Sequence, residues 1–169
     1  MNKLFDLSNK TAIVTGGGNG IGKGCSLMLA SHGANVVVSD LKIEDAEAVA
    51  DLIKTNGGKA IAVSCNVTKD EDLVHLVEQA ISTFGTIEIL VNNAGGGGGG
   101  RENPNSISVD DFAWRFQLNV YSAWRLCQLC VPYMKKAKYG SIINITSMSS
   151  INKSPNMSAY AASKAAMNH

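Results

Sequence analysis

The chain has 169 residues, of which 45% are hydrophobic and 17% charged, and we expect residues 1–169 to form a single domain with a buried core. A formal net charge of +1 provides no broad basic field for nucleic acid or an anionic membrane. No apolar run approaches the roughly 18 residues of a membrane span, and residues 1–10 lack the apolar core of a signal peptide. We therefore expect a cytoplasmic protein without nucleic-acid or membrane partners.

Short apolar runs alternate with stretches of helical periodicity along the chain. The predicted strands are residues 11–15, 36–38, 60–63, 87–91 and 141–146. The predicted helices are residues 21–32, 46–53, 73–84, 109 to about 136, with a bend near Pro132, and 157–169. Strands that are apolar on both faces and alternate with helices predict an α/β fold, a Rossmann-type doubly wound parallel sheet of strand order 3-2-1-4-5.

The last predicted helix is still running at His169, with no cap and no following strand. A doubly wound domain that stops after five strands leaves a sheet edge poorly covered. We therefore expect the domain to be incomplete at its C-terminus, truncated after this helix begins.

An unbroken glycine run covers residues 95–100. By composition alone it could be a flexible linker between domains. The alternation of strands and helices continues beyond it, which favours a loop after the fourth strand. Such a loop lies at the carboxyl edge of the sheet, where ligands bind, and glycines would leave room there for a bulky substrate.

The cysteine spacing Cys127-x-x-Cys130 allows a redox pair or half a zinc site. The pair lies inside an apolar helical stretch, and no second pair supplies the other zinc ligands. Buried, reduced cysteines on a core helix are therefore the preferred interpretation, and we expect no metal site.

A glycine-rich turn, residues 15–22, separates the first strand from the first helix. Glycines let backbone N–H groups approach a pyrophosphate, and the helix dipole faces that anion. Asp40 ends the second strand about twenty residues later, where a carboxylate can bind the ribose hydroxyls and repel a 2′-phosphate. This predicts NAD rather than NADP, although the nearby cation of Lys42 could help to tolerate a phosphate.

The glycine spacing here is T-G-x-x-x-G-x-G, and with four further motifs it resembles the short-chain dehydrogenase/reductase family. These are Asn92-Asn93-Ala94-Gly95, Asn119, Ser147 and Tyr160-x-x-x-Lys164, in that order over essentially the whole chain. The resemblance implies an enzyme whose cofactor-binding residues are Gly16, Asn19, Gly20, Ile21, Gly22, Asp40, Leu41, Asn66, Val67, Asn93, Ala94, Gly95, Tyr160 and Lys164. Asn66 stands where the family usually has Asp; its amide can still accept from the adenine amino group and donate to a ring nitrogen.

Oxidation of an alcohol by hydride transfer needs a base for the hydroxyl proton. Tyr160 and Lys164 are four residues apart and therefore lie on one face of a helix, where an ammonium favours the phenolate. In the family the lysine also binds the nicotinamide ribose. The resemblance further implies that Ser147 holds the substrate oxygen and that Asn119 anchors a proton-relaying water chain.

A finer resemblance rests on Val36-Val37-Val38-Ser39-Asp40, on Asn92-Asn93-Ala94 with its glycine run, and on Thr146-Ser147-Met148 followed by Asn152 and Ser158-x-Tyr160. In these stretches the sequence resembles bacterial NAD-dependent 7α-hydroxysteroid dehydrogenases, which implies that Gly97 and Asn152 also contact the substrate, together with Ser147 and Tyr160. The expected activity is hydride transfer between NAD(H) and a secondary alcohol or ketone, a hydroxysteroid by this resemblance. Reduction of 3-oxoacyl-carrier protein, sugar oxidation and a non-catalytic NAD-binding module remain alternatives. Family members are commonly tetramers, and Trp124, Leu126 and Leu129 could face a subunit interface or the core.

Overall fold

A computed structural model describes residues 5–97 and 102–169. The five strands are β1 (Thr11–Thr15), β2 (Asn35–Asp40), β3 (Lys59–Ser64), β4 (Ile89–Asn92) and β5 (Ser141–Asn144). They form one parallel sheet in the order β3-β2-β1-β4-β5. The predicted α/β class and strand order are confirmed. Of the glycine run, Gly98, Gly99 and Gly100 lie outside the described residues.

Helices connect the strands and cover both faces of the sheet. They are α1 (Gly20–Ser31), α2 (Ile43–Thr55), α3 (Asp70–Phe84), α4 (Val109–Phe116), α5 (Ser122–Ala137) and α6 (Ser158–Asn168). A 3₁₀ turn, Met148–Ser150, follows β5. Gly85 ends α3 in the left-handed conformation, with φ of 79°, and Ser108 caps α4 by accepting the Asp111 N–H at 3.0 Å. No helix in the described part of the chain has the length and apolar character needed to cross a bilayer.

Alternate residues of the central strands supply two cores, because successive side chains of a strand point to opposite faces. Ile13, on β1, packs with residues of α3 and α5, including Leu76 and Leu126. Its neighbours Ala12 and Val14 pack on the other face with residues of α2. Leu126 therefore faces the core, whereas Trp124 is 69% exposed.

The single helix predicted over residues 109–136 is interrupted. A π-helical turn, Gln117–Tyr121, separates α4 from α5. The physical reason lies in contacts with other segments: π turns adopt i→i+5 bonds, and this one contains Asn119, whose buried side chain bonds to Gly96 in the loop after β4. Pro132 lies within α5, which runs on to Ala137.

Candidate active site at the carboxyl edge of the sheet

The glycine-rich turn packs tightly on the end of β4. Asn93 donates from Nδ2 to the carbonyl oxygens of Thr15 and Gly16, at 2.8 and 2.9 Å. A Cβ added at Gly22 would lie 2.5 Å from the same Nδ2 and closer still to the backbone of Gly16. Only glycine fits at position 22, so the start of α1 can pack closely on the glycine-rich turn and on the end of β4.

Thr15 links the same two strand ends through its hydroxyl. This hydroxyl donates to the Val91 carbonyl at 3.3 Å and accepts the N–H groups of Asn93 and Ala94 at 3.1 and 3.0 Å. The segment after β4 is thus fixed to the end of β1, where the glycine-rich turn begins.

Asp40 joins the glycine-rich turn to the segment that follows β2. Its Oδ2 accepts the Gly18 N–H at 3.0 Å, and its Oδ1 accepts the Lys42 N–H at 3.3 Å. Each carboxylate oxygen has a second acceptor position, so the side chain can hold the turn and still accept from a diol. Lys42, whose cation could help to tolerate a 2′-phosphate, is an exposed residue.

A cavity of about 270 Å³ collects most of the predicted cofactor residues. Its lining comes from the glycine-rich turn, the ends of β2 to β4 and the π-helical turn. The lining residues are Gly16, Asp40, Leu41, Cys65, Asn66, Val67, Asn93, Ala94, Gly95 and Leu118. Asn19, Gly20, Ile21 and Gly22 lie in the turn beside it; Asn19 accepts the Gly20 N–H at 2.7 Å.

Asn66 is already engaged within the chain. Its Oδ1 accepts the N–H of Thr68 at 3.1 Å and the hydroxyl of Thr68 at 2.7 Å. An amide oxygen has two lone pairs, so both are used. This narrows the prediction for adenine: the NH₂ group of Asn66 is left to donate to a ring nitrogen, and its oxygen is no longer available to the amino group.

A second cavity, of about 260 Å³, lies between α6 and the glycine-rich turn. Tyr160 and Lys164, both on α6, line it together with Ile21 and Asn93. The rest of its lining is Gly95, Gly96, Ile145 and Thr146. The phenol and the amine predicted from the sequence therefore share a cavity with the predicted cofactor turn.

Lys164 is nearly buried, with 3% of its surface exposed. Its Nζ donates to the carbonyl oxygen of Ile145 at 2.7 Å, which fixes the side chain beneath the end of β5. Burial lowers the pKa of the Lys164 ammonium, because desolvation penalises the charged form. The structure thus holds a cation at a position that is unfavourable for its charge.

Asn119 connects the loop after β4 to α6. Its Oδ1 accepts the Gly96 N–H at 3.0 Å, and its Nδ2 donates to the Gly96 carbonyl at 3.1 Å and to the Ser163 hydroxyl at 2.9 Å. The side chain uses both ends within the protein. It therefore connects three segments of the site: the π-helical turn, the loop after β4 and α6.

Ser147, Gly97 and Asn152 are the predicted substrate-contacting residues other than Tyr160, and none of them belongs to the lining of either cavity. The Ser147 hydroxyl accepts the Ser149 N–H at 3.2 Å and so caps the 3₁₀ turn. The Asn152 N–H donates to the Met148 carbonyl at 3.0 Å. Gly97 packs its backbone against the Tyr160 ring.

The paired cysteines lie on α5, facing inward. Burial raises the pKa of the Cys130 thiol to about 12 and also raises that of Cys127, so neither favours the reactive thiolate. Within residues 5–97 and 102–169, no three His, Cys, Asp or Glu side chains gather as metal ligands.

Sequence reasoning missed Glu102. It lies beyond the glycine run, is 6% exposed, and accepts backbone N–H groups at the start of α6. The only signal for it was indirect: Met157 precedes α6 and cannot cap a helix with its side chain.

Comparison with known proteins gives consistent matches. The model of the short chain dehydrogenase family matches residues 10–169. The 7α-hydroxysteroid dehydrogenase of Escherichia coli (strain K12) is 46% identical over 163 residues, which cover 96% of this chain and 63% of the relative. Cyclohexanol dehydrogenase of Acinetobacter sp. (strain SE19) is 37% identical over 157 residues, which cover 93% and 62%.

A solved structure is equally similar. It is a 7α-hydroxysteroid dehydrogenase complexed with NADH and 7-oxo glycochenodeoxycholic acid, with a TM-score of 0.93 and 45% identity. The match covers 98% of this chain and 64% of that one. The chain therefore spans less than two thirds of the length of these relatives.

Proposed function

Since this chain belongs to the short-chain dehydrogenase family, we propose that it transfers hydride between NAD(H) and a secondary alcohol or ketone. The observation that carries the proposal is the shared cavity in which Tyr160 and Lys164 of α6 meet Ile21 and Asn93. A general acid/base has to lie within reach of the reacting group, and this cavity joins the proton-transferring residues to the cofactor turn.

The cofactor site fits a dinucleotide. At Gly20, where φ is +52°, no described atom lies within 4 Å of the place a Cβ would take, so the backbone of the turn is open there to a pyrophosphate. Asp40 lies at the edge of the cavity next to Asn66 and Val67, where it would bind the adenosine ribose. Its negative charge disfavours a 2′-phosphate, which supports NAD over NADP. When bound, the nicotinamide supplies the acceptor or donor of the hydride.

The proton moves through Tyr160. In alcohol oxidation its phenolate oxygen takes the hydroxyl proton of the substrate, and in ketone reduction the phenol returns that proton. Lys164 supplies a positive charge on the same helix face, where it would stabilise the negative charge that develops on the phenol oxygen as the proton moves. Asn119 holds the backbone of Gly96 beside this helix, and Ser147 is proposed to bind the substrate oxygen.

The proposed substrate class is the hydroxysteroids. Support comes from the E. coli 7α-hydroxysteroid dehydrogenase at 46% identity and from the structural match whose complex contains a 7-oxo bile acid. Gly97 and Asn152 are the proposed additional substrate contacts. The cyclohexanol dehydrogenase match supports a secondary alcohol in general.

We also propose that residues 1–169 belong to one domain and that the protein is a homotetramer. Large side chains are exposed on the π-helical turn and α5: Tyr121 is 55% exposed and Trp124 69%. Aromatic residues of this kind are enriched at protein interfaces.

The test is a spectrophotometric assay of the whole protein as it is naturally made. It would be offered NAD or NADP with a 7α-hydroxysteroid, the 7β epimer, cyclohexanol, a sugar and, in reverse, a 3-oxoacyl thioester. We expect reduction of NAD with the 7α-hydroxysteroid and little with its epimer. Turnover of cyclohexanol alone would refute the steroid assignment, and NADH binding without turnover of any alcohol would indicate a non-catalytic module.

Tyr160→Phe is the matched variant for this assay. It keeps the ring that packs against Gly97 and removes only the hydroxyl. We expect turnover to fall by about 10³-fold or more, since acid–base catalysis contributes roughly 10²–10⁴-fold, while the Kd of NADH changes by less than about twofold. Near-normal turnover in this variant would refute the acid–base role.

A further inference from the structure

The helix that carries Tyr160 lacks a cap of its own. Helix α6 begins at Ser158, and the side chain of the preceding Met157 makes no capping hydrogen bond. The first turn of α6 also contains no acidic residue. The first N–H groups of any helix have no partner within the helix, so those of α6 depend on another part of the chain.

Glu102 supplies that partner from a distant position in the sequence. Its Oε2 accepts the Ala159 N–H at 2.9 Å and lies 3.4 Å from the Ser158 hydroxyl, and its Oε1 accepts the Tyr160 N–H at 3.2 Å. The backbone N–H of Glu102 donates to the Asn156 carbonyl at 3.0 Å. The carboxylate thus holds the backbone of Tyr160 itself.

Arg115 faces the same carboxylate from α4. Its Nε lies 3.8 Å from Glu102 Oε1, with the Glu102 side chain 3% exposed and that of Arg115 20% exposed. Arg115 Nε is buried and, among the described residues, has no hydrogen-bond partner. The guanidinium therefore places a positive charge near the Glu102 carboxylate, at a distance longer than a hydrogen bond.

Gly97 adds a contact on the ring of Tyr160. A Cβ at position 97 would lie 2.5 Å from Cγ and Cδ2 of Tyr160, so the loop backbone lies directly against the phenol ring. A residue within the glycine run and a residue beyond it therefore both meet Tyr160: Gly97 at its ring and Glu102 at its backbone N–H.

We propose that Glu102 is a positioning residue for the reaction. It touches no reacting atom; it acts through Tyr160, which is the third residue of α6 and lies in the turn that Glu102 caps. The inference rests on the proposed function, in which Tyr160 moves the proton. Loss of the cap frays this turn and displaces the phenol, and a displacement of about 1 Å can cost about 10²-fold in rate.

The expected consequence is a separation of turnover from cofactor binding. Asp40 and Gly22, which form the proposed adenosine and pyrophosphate contacts, belong to β2 and α1, and neither contacts Glu102. Weakening the start of α6 should therefore lower kcat while the affinity for NADH changes little.

The experiment compares Glu102→Ala and the isosteric Glu102→Gln with a matched control, Glu88→Gln, in the whole protein. Glu88 is 4% exposed and accepts the Thr11 N–H at 2.8 Å, so it is also a buried carboxylate on a backbone donor. It lies at the amino ends of β1 and β4, opposite the site. Measurements are kcat, KM, the Kd of NADH, thermal unfolding, and hydrogen exchange of the amides of Ala159 and Tyr160.

We expect slow exchange at these two amides in the wild type and faster exchange in both Glu102 variants. Glu102→Ala should lower kcat by about tenfold to 100-fold, and Glu102→Gln by less, because its amide oxygen still accepts one N–H. The Kd of NADH should stay within about twofold. Glu88→Gln should lower the unfolding temperature and leave kcat unchanged.

Three results would overturn the inference: unprotected amides in the wild type, faster exchange with unchanged kcat, or an equal loss of kcat in Glu88→Gln. A wild type that turns over no alcohol would refute the proposed function instead. The amide exchange would then still decide whether Glu102 holds Tyr160.

Discussion

Two regions meet at the carboxyl edge of the sheet, and they are built differently. The glycine-rich turn and Asp40 extend from β1 and β2, whose central residues are entirely buried. Helix α6, which carries Tyr160 and Lys164, follows β5, where Ile142 and Ile143 are 38% and 43% exposed. Among the described residues, the first region rests on a core closed on both faces, and the second stands beside a strand whose apolar side chains are partly exposed.

The bonds that hold the two regions also differ in kind. The turn is held by backbone groups and by side chains at the ends of adjacent strands, as when Asn93 bonds to Thr15 and Gly16. Helix α6 is held by single side chains, Glu102 at its first turn and Asn119 through Ser163. Precision in the second region therefore depends on few contacts, each of which one substitution can remove.

The largest effect that separates the regions is expected for Lys164→Met. Removing the ammonium should lower turnover by about 10²-fold or more and weaken NADH binding, because the lysine is expected to bind the nicotinamide ribose. Stability should stay unchanged or rise, because burying that charge is unfavourable and Met fills a similar volume. Steady-state kinetics, NADH titration and thermal unfolding measure the three quantities.

The pH dependence of stability tests whether the buried charge of Lys164 destabilises the fold. The pKa of Lys164 is lowered in the folded state, so between that value and the ordinary value the unfolded chain binds more protons. The contribution of Lys164 is therefore unfavourable at neutral pH and is relieved as pH rises through the folded pKa. The Lys164→Met variant should therefore lack the rise in stability that the wild type shows at alkaline pH. Lys54→Met, at a lysine whose side chain is 53% exposed, should keep that rise. A clear loss of stability in Lys164→Met at neutral pH would show that the buried ammonium does not destabilise the fold.

A second comparison uses two residues that are direct partners in the sheet. Leu90 of β4 and Ile142 of β5 stand opposite each other, yet Leu90 is fully buried and Ile142 is 38% exposed. Leu90→Ala should lower the free energy of unfolding by about 2–5 kcal/mol, the usual range for a large apolar core residue. Ile142→Ala should cost less than about 1 kcal/mol, because much of its surface already meets water.

Urea denaturation of both variants measures this difference. Equal losses would mean that the β5 face is covered by protein in solution, by a partner subunit or by further chain. The strand beside α6 would then be packed as closely as the strands beneath the glycine-rich turn, and the difference between the two regions would not exist in solution.

The sequence predicted the first region better than the second, for physical reasons. Strand β2 was visible because Val36, Val37 and Val38 form a β-branched run, and Gly85 marked the end of α3. Local patterns of this kind set strand order and place the turn. Tyr160 and Lys164 were also readable, because four residues along a helix bring two side chains to one face.

Contacts between distant segments could not be predicted. Glu102 is separated from Tyr160 by 58 positions, and no periodicity links a lone carboxylate to a helix start. The π-helical turn was missed because Asn119 is satisfied by Gly96 and Ser163, residues of other segments. The bonds from Thr68 to Asn66, by contrast, join residues two positions apart. An Asn followed two residues later by Thr, just before α3, is typical of an Asx turn, so the sequence alone could have predicted them.

The smallest expected effect tests the first region alone. Asp40→Asn keeps an oxygen that can accept the Gly18 N–H, so the turn should survive, but it removes the negative charge. Charged hydrogen bonds are about twice as strong as neutral ones, so the affinity for NAD should fall severalfold. The affinity for NADP should hold or rise, since the repulsion of its 2′-phosphate is gone. The ratio of the two dissociation constants should therefore shift toward NADP by about tenfold, or 1.4 kcal/mol.

Asp51→Asn on α2, where the side chain is 72% exposed, is the control and should leave the ratio unchanged. An unaltered ratio in Asp40→Asn would mean that the ribose is held elsewhere, and the region with the closed core would then owe its selectivity to the backbone of the glycine-rich turn.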